Sequence, residues 1–250
     1  RVLFRSSCLK QNFYNLEIIV ADLSKYKDRK LQNKYKNISK IKFIYLKEKF
    51  LYPTQNQLFA IKQALWNSKG KYIFLLDGDD FFLKKKITYI VSKIKYNEKL
   101  IMDFPTVFKE SNKKKIKKMK TNPFKNNFLY TYFINNWPGI SCTSGICVER
   151  KNILNFFNKT DPFKWKNLAI DIQLSIYTKL KYNIHYLKKD LTLKSDNSKN
   201  LDKIYRNYFS KKFWIRRNEQ HDFNLSLKKT KFKGFDYYVT KFIMLIINLI

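Results

Sequence analysis

The sequence is poor in residues that punctuate or staple a chain. Five glycines and five prolines in 250 residues exclude collagen-like and linker-like polypeptides. Three cysteines, Cys8, Cys142 and Cys147, cannot all pair and lack metal-site spacing, so free thiols in a reducing compartment are expected. Acid is scarce: 19 Asp and Glu face 52 Lys and Arg, a formal net charge of +33. Arginine is scarce as well, with seven against 45 lysines. Base readout favours arginine's bidentate fork, so the excess argues for general attraction to anionic surfaces, and nucleic acid is not the expected partner. Lys, Asn, Ile, Phe and Tyr are abundant and share A/T-rich codons, so coding bias is expected to contribute to the charge. No apolar run reaches the roughly 20 residues of a spanning helix, and no signal peptide is read. What is present suffices for a core: 44% of the residues are hydrophobic and 17% aromatic. The length suits one large domain or two small ones.

Residues 1–7 differ in style from the rest, hold two of the seven arginines, and are expected to be a non-native or disordered end. Leu16–Ala21, Ile41–Leu46 and Tyr72–Leu76 read as buried strands, and Thr54–Ser68 as a helix with Gly70 beyond its end. This alternation indicates βαβ units and a parallel sheet. Further on, Leu83–Tyr96 reads as a helix, Ile101–Phe108 as a strand and Lys113–Lys120 as a solvated loop or membrane contact. A helix from Lys151, another over Ile170–Leu180, a strand over Tyr182–Leu187, a loop over Ser195–Asn200 and a charged aromatic helix over Lys203–Asp222 follow. The apolar end, Tyr237–Ile250, fits an interfacial amphipathic helix, a buried helix or the start of a spanning segment, and the lysines before it suit an anionic leaflet.

Asp77-Gly78-Asp79-Asp80 carries the most chemical information. Three carboxylates in four residues repel one another, and they follow a buried strand, where open α/β sheets bind ligands. Gly78 is expected to allow a tight turn and close approach of a phosphate. Hard oxygen ligands suit Mg²⁺ or Mn²⁺, which would hold substrate phosphates. The alternative is a turn with a helix-capping aspartate.

In its order, the stretch from Leu16 to Asp80 resembles glycosyltransferase family 2: a strand ending in acid at Asp22, a helix, then Gly70-Lys71-Tyr72-Ile73 and Leu75-Leu76-Asp77-Gly78-Asp79-Asp80. The resemblance is to inverting enzymes of bacterial surface-polysaccharide or lipopolysaccharide type. It implies a GT-A fold, a Rossmann-like α/β architecture with a mixed, mostly parallel sheet flanked by helices. It also implies transfer of a sugar from a UDP-, dTDP- or GDP-sugar to a saccharide or lipid-linked acceptor, with Mn²⁺ or Mg²⁺. Asp22 would contact the nucleoside base, Asp77 the ribose and Asp79 the metal, with Asp80 shaping the turn. Asp171 would be the catalytic base; a helix-start acid favoured by the dipole is the alternative. Lys62 stands near the place of an arginine beside the diphosphate. The chain departs from the pattern in lacking the Pro-x-Tyr-Asn first strand, in Ala21 and Leu23, in Ala60-Ile61-Lys62, and in Ile170 where Glu is usual.

The second cluster, Phe213–Asp222, holds Trp214, Arg216, Arg217 and His221. By the same resemblance His221 would join the metal, Arg216 and Arg217 the leaving diphosphate, and Trp214 a sugar ring. The alternative is a charged amphipathic helix with a buried Trp. His185 reads as structural. Ser144, within Ser141–Gly145, lies where acceptor-side loops are placed. The expected organisation is a nucleotide-sugar-binding half over 8–104, an acceptor-binding half over 105–200, and a basic then apolar region over 201–250. Rival readings are a basic nucleic-acid- or anionic-surface-binding protein, a nucleotidyltransferase and an inactive family member. A cytoplasmic location, peripheral on the inner face of the plasma membrane, is expected.

Overall fold

Runs of β-branched and aromatic residues form strands where both faces of the pleat can be covered. The computed structural model describes residues 2–24, 33–35, 37–94, 98–108, 115–118, 137–196, 205, 207–228 and 233–249. After helix α1 (Val2–Leu9), strands β1 (Ile18–Asp22) and β2 (Ile41–Tyr45) pair in parallel, from Ile18 opposite Ile41 to Asp22 opposite Tyr45. Helix α2 (Pro53–Trp66) follows and packs on β1, burying Leu58 and Leu65. Its proline at the first turn costs no hydrogen bond. Glu17 Oε1 accepts the amides of Lys69 and Gly70, each at 2.6 Å, and so fastens the start of β1 to the turn beyond α2.

Among the described residues the remaining strands form two sheets of four. One has the order β3 (Tyr72–Phe74), β8 (Ile146–Glu149), β5 (Leu100–Met102), β9 (His185–Tyr186). The other has the order β4 (Phe81–Phe82), β10 (Thr192–Ser195), β6 (Thr106–Phe108), β7 (Lys115–Lys118). Among the described residues three strand pairs are parallel and four antiparallel, so the sheet is mixed without a parallel majority. The reason is β8, which runs antiparallel between β3 and β5. The single strand expected from Ile101 to Phe108 divides into β5 and β6. Pro105 has no amide to donate, and Asp103 is drawn into a buried ion pair, so the chain crosses from one sheet to the other.

Helix α3 (Lys86–Lys93) is shorter than its apolar pattern suggests, because Phe81–Phe82 extends as β4 and the Leu83 amide bonds to Leu191 O. Gln11 donates to Leu83 O at 2.9 Å and accepts the Ile87 amide at 3.1 Å, and Phe82 N donates to Ser7 Oγ at 3.2 Å, so the N-terminal segment is sewn to this corner. Helices α4 (Arg150–Lys159), α5 (Ile170–Lys179), α6 (Lys211–Leu227) and α7 (Phe235–Leu249) complete the molecule. Part of the 113–120 run forms β7, and the 195–200 loop lies mostly outside the described residues. The main core joins Leu58 and Leu65 of α2, Met102, Ile146 and Val148 of the sheet, Ile153 and Phe156 of α4, Leu174 of α5 and Phe223 of α6. Each such side chain contributes about 1.5–3 kcal/mol on burial. Together they fix the ends of β3, α2 and α5 relative to one another.

Candidate active site

The last ladder bond of β3 is Leu75 N to Ile146 O, after which the chain leaves the sheet into the acidic loop. The Asp80 amide returns to Asp77 O at 3.2 Å and closes the turn. Gly78 does not have to be glycine for this turn: a side chain there would meet nothing within 4 Å, and its backbone is not left-handed. The openness that remains is on the solvent side.

Three walls hold the loop. Beneath it, Ser144 is fully buried; its Oγ accepts the Asp77 amide at 2.9 Å and bonds the Asp80 carboxyl. Beside it, Gln57 of α2 donates to Asp77 Oδ1 and Thr143 Oγ1, each at 3.0 Å, and accepts the Ile170 amide at 3.5 Å. On the far side, Ser195 N donates to Asp80 Oδ1 at 2.9 Å. Asp79 is left at the exposed tip. Asp171, on the first turn of α5, lies close enough to Asp77 to repel its charge, and Lys194 of β10 lies close enough to attract it.

Burial pushes the Asp77 carboxyl up to about 6, helped by Asp171 and Asp79 and opposed by the Gln57 bond and Lys194. Burial likewise lifts Asp80 to about 7, with Asp77 adding repulsion and the bonds to Ser144 and Ser195 opposing it. Burial and mutual repulsion thus disfavour the charged carboxylates here, and a bound cation would favour them. Among the described residues no three His, Cys, Asp or Glu side chains gather into a complete metal cage. Asp77, Asp79 and Asp80 offer carboxylate oxygens, the donor type that Mg²⁺ and Mn²⁺ take, usually one or two beside phosphate oxygens and water.

Below Ser144 lies a dry ion pair. Lys86 and Asp103 are both 0% exposed; Lys86 Nζ donates to Asp103 Oδ1 at 2.6 Å, Ser144 O at 2.7 Å and Thr192 Oγ1 at 2.6 Å. Asp103 Oδ2 accepts the Thr192 hydroxyl at 2.7 Å and the Leu191 amide at 3.2 Å. Gly145 closes this floor, because a Cβ there would collide with Ser141 Oγ and with Asp103 O at 2.5 Å.

The other expected residues are dispersed. Asp22 ends β1 and accepts the Ser24 amide at 2.9 Å. Lys62 Nζ sits 4.8 Å from the Trp66 ring centre and 5.6 Å from that of Phe163, on the outer side of α2. Trp214 donates to Tyr208 O at 2.7 Å, and Arg216 stacks 4.5 Å over Tyr205. Arg217 donates to Asp236 Oδ2 at 2.9 Å and lies 4.6 Å over Trp137, which donates to the same oxygen at 2.9 Å. His221 is 1% exposed, packed edge-on to Trp137 and Tyr237, with Nε2 3.2 Å from Thr240 Oγ1. The contacts of Arg217 and His221 tie α6 to α7. Ser144 likewise serves the floor of the acidic loop. All three cysteines are free; burial lifts the Cys8 thiol to about 11 and raises those of Cys142 and Cys147, so none is a ready nucleophile.

Gln57, Lys86, Asp103 and Lys194 escaped the sequence reading. Gln57 belongs to no motif, and the two lysines are lost among 45. Asp103 offered a signal, an acid inside an otherwise apolar run.

A family model described as "Glycosyl transferase family 2" matches residues 5–156. No curated protein matches in sequence. Among solved structures, residues 1–349 of S. aureus TarS in complex with UDP superpose with a TM-score of 0.61 at 15% identity, covering 96% of this chain and 64% of that one. S. aureus TarS itself gives a TM-score of 0.57 at 16% identity, covering 91% of this chain and 41% of that one. A further structure of its residues 1–349 gives 0.57 at 17%, covering 92% and 69%. The chain thus spans less than two thirds of the first of these and shares its fold.

Proposed function

Because this chain belongs to glycosyl transferase family 2, we propose that it moves a sugar from a nucleotide-diphosphate donor to a saccharide or lipid-linked acceptor, inverting the anomeric centre. The observation that carries the reading is the meeting of Asp77, Asp79 and Asp80 with Asp171 at the C-terminal end of β3. The UDP bound to the TarS fragment supports a UDP-sugar, with dTDP and GDP as alternatives.

In this reading Asp79, at the exposed tip, would hold Mn²⁺ or Mg²⁺, and Asp77 faces the ribose. When bound, the cation would neutralise the diphosphate as charge builds on the leaving group. Lys194 adds a positive charge from β10. Asp171 accepts the proton of the acceptor hydroxyl, which displaces the nucleotide from the opposite face in one step. Asp22 meets the nucleoside base. Residues 8–104 bind the donor, 105–200 the acceptor, and 201–250 turn toward an anionic membrane. The protein acts in polysaccharide or lipopolysaccharide synthesis at the cytoplasmic face.

The test is nucleotide-sugar binding by calorimetry with and without Mn²⁺. Asp79→Ala should remove the Mn²⁺-dependent part while the fold, read by circular dichroism, survives. Undiminished Mn²⁺-dependent binding in that variant would sink the metal assignment. Release of nucleoside diphosphate separates sugar transfer from nucleotidyl transfer, which releases pyrophosphate.

A further inference from the structure

Helix α7 has two faces, and the outer one is apolar and exposed. The inner face turns Asp236, Tyr237 and Thr240 toward Trp137, Arg217 and His221. Phe235, Tyr238, Phe242, Leu245, Ile246 and Leu249 are exposed, Phe242 by 65% and Leu249 by 79%. At about 100° per residue these six fall within an arc of roughly 100°, opposite Thr240. The stripe runs the length of a 15-residue helix, about 22 Å at 1.5 Å per residue. That is shorter than a bilayer core of about 30 Å, and no helix among the described residues is long and apolar enough to cross a membrane.

An apolar face of this length marks a contact surface. Charge decides its occupant. Lys233 lies just ahead of the helix and Lys228 at the end of α6, while Lys241 on the helix itself is paired with Asp222 of α6 at 2.8 Å. A second copy of the chain would bring another +33 against the first. An anionic leaflet instead takes Phe, Leu and Ile at its acyl boundary and Tyr at the headgroups, and gains from each lysine at its surface. We infer that the outer stripe of α7 is a membrane-surface anchor, lying flat in an anionic leaflet.

The anchor deepens the proposal of a lipid-linked acceptor and rests on it for its purpose, while the binding itself is independent of sugar transfer. It is also joined to the site. Asp236 of α7 holds Arg217 of α6, and on the same helix Glu219 holds both the amide and the side chain of Asn167, at 2.8 and 2.6 Å, just before α5 and Asp171.

The experiment is co-sedimentation of the full chain with phosphatidylcholine vesicles, with and without phosphatidylglycerol, in the absence of nucleotide sugar and divalent cation. The wild type should sediment with the phosphatidylglycerol vesicles and bind at least about tenfold less with phosphatidylcholine alone or at high salt. Phe242→Glu/Leu245→Glu should lose binding by a similar factor with an unchanged circular dichroism spectrum, since both side chains are exposed. Wild-type sedimentation by that double variant would overturn the anchor and leave lysines alone as the cause. A vesicle-free dimer that the double variant dissolves would overturn it in favour of self-association. Asp79→Ala should sediment like the wild type while losing Mn²⁺-dependent nucleotide binding; a wild-type chain that sediments but binds no nucleotide sugar would strike the catalytic reading only.

Discussion

A lysine with no exposed atom is tolerable only while all three of its donors are used. Lys86 meets that condition through Asp103, Ser144 and Thr192. Lys86→Met would leave Asp103 buried without its countercharge, and the expected loss is about 3–5 kcal/mol in urea unfolding. Lys86→Met/Asp103→Leu should recover a large part of it, because the uncompensated charge goes too. A second residue-scale prediction concerns Gln57, whose amide is shared by Asp77 and Thr143. Gln57→Ala removes a hydrogen bond to a carboxylate, a group worth about 1.5–3 kcal/mol. Mn²⁺-dependent nucleotide binding should weaken by about tenfold or more, and the thermal midpoint should fall by several degrees. The acids of the loop were legible because carboxylates are rare in this chain and these follow a strand. Lys86 was not: inside Lys84-Lys85-Lys86 it looks like a solvated run, and only the tertiary partners distinguish it.

At the scale of elements, the clasp between α6 and α7 turns chemistry-bearing residues into structure. The Thr240 hydroxyl donates to Asp236 O at 2.8 Å and so receives the Nε2–H of a neutral His221. Burial, with Arg217, Lys241 and Lys228 nearby, drives the His221 imidazole from 6.5 down to about 3. Asp236 Oδ2, 3.7 Å from Nε2, is the opposing charge. The folded state therefore resists protonation that the unfolded chain accepts. Its contribution to stability is complete above about pH 6.5 and is lost as pH falls toward 3. Urea midpoints should drop across that window, and His221→Gln should flatten the drop; an equal slope in the variant would refute it. The helices themselves were legible from apolar periodicity. What Phe213–Asp222 binds was not, because Arg, Trp and His serve a clasp as readily as a ligand. The break between β5 and β6 was marked by Pro105, but β10, one of the two strands that β6 joins, comes from 85 or more residues later in the chain.

For the whole molecule, a net charge of +33 opposes compactness at every point of the surface. Screening should relieve it. Raising NaCl from about 20 to about 500 mM is expected to lift the thermal midpoint by about 4 °C, as a gain of about 1–2 kcal/mol would do in a chain of this size. A midpoint that falls instead would show that local ion pairs outweigh the global repulsion. The α/β order of the first third was legible from alternating patterns. The antiparallel β8 was not, because its neighbours in the sheet lie some 75 and 45 residues earlier in the chain. Gly145 connects this architecture to the gene. Every glycine codon starts with two guanines, so a coding sequence drifting toward A and T erodes glycine, and only five are left. At 145 the smallest possible side chain already collides with Ser141 and Asp103. There the mutational tide meets a wall of atoms, and any drifted allele must first rebuild the floor under the acidic loop.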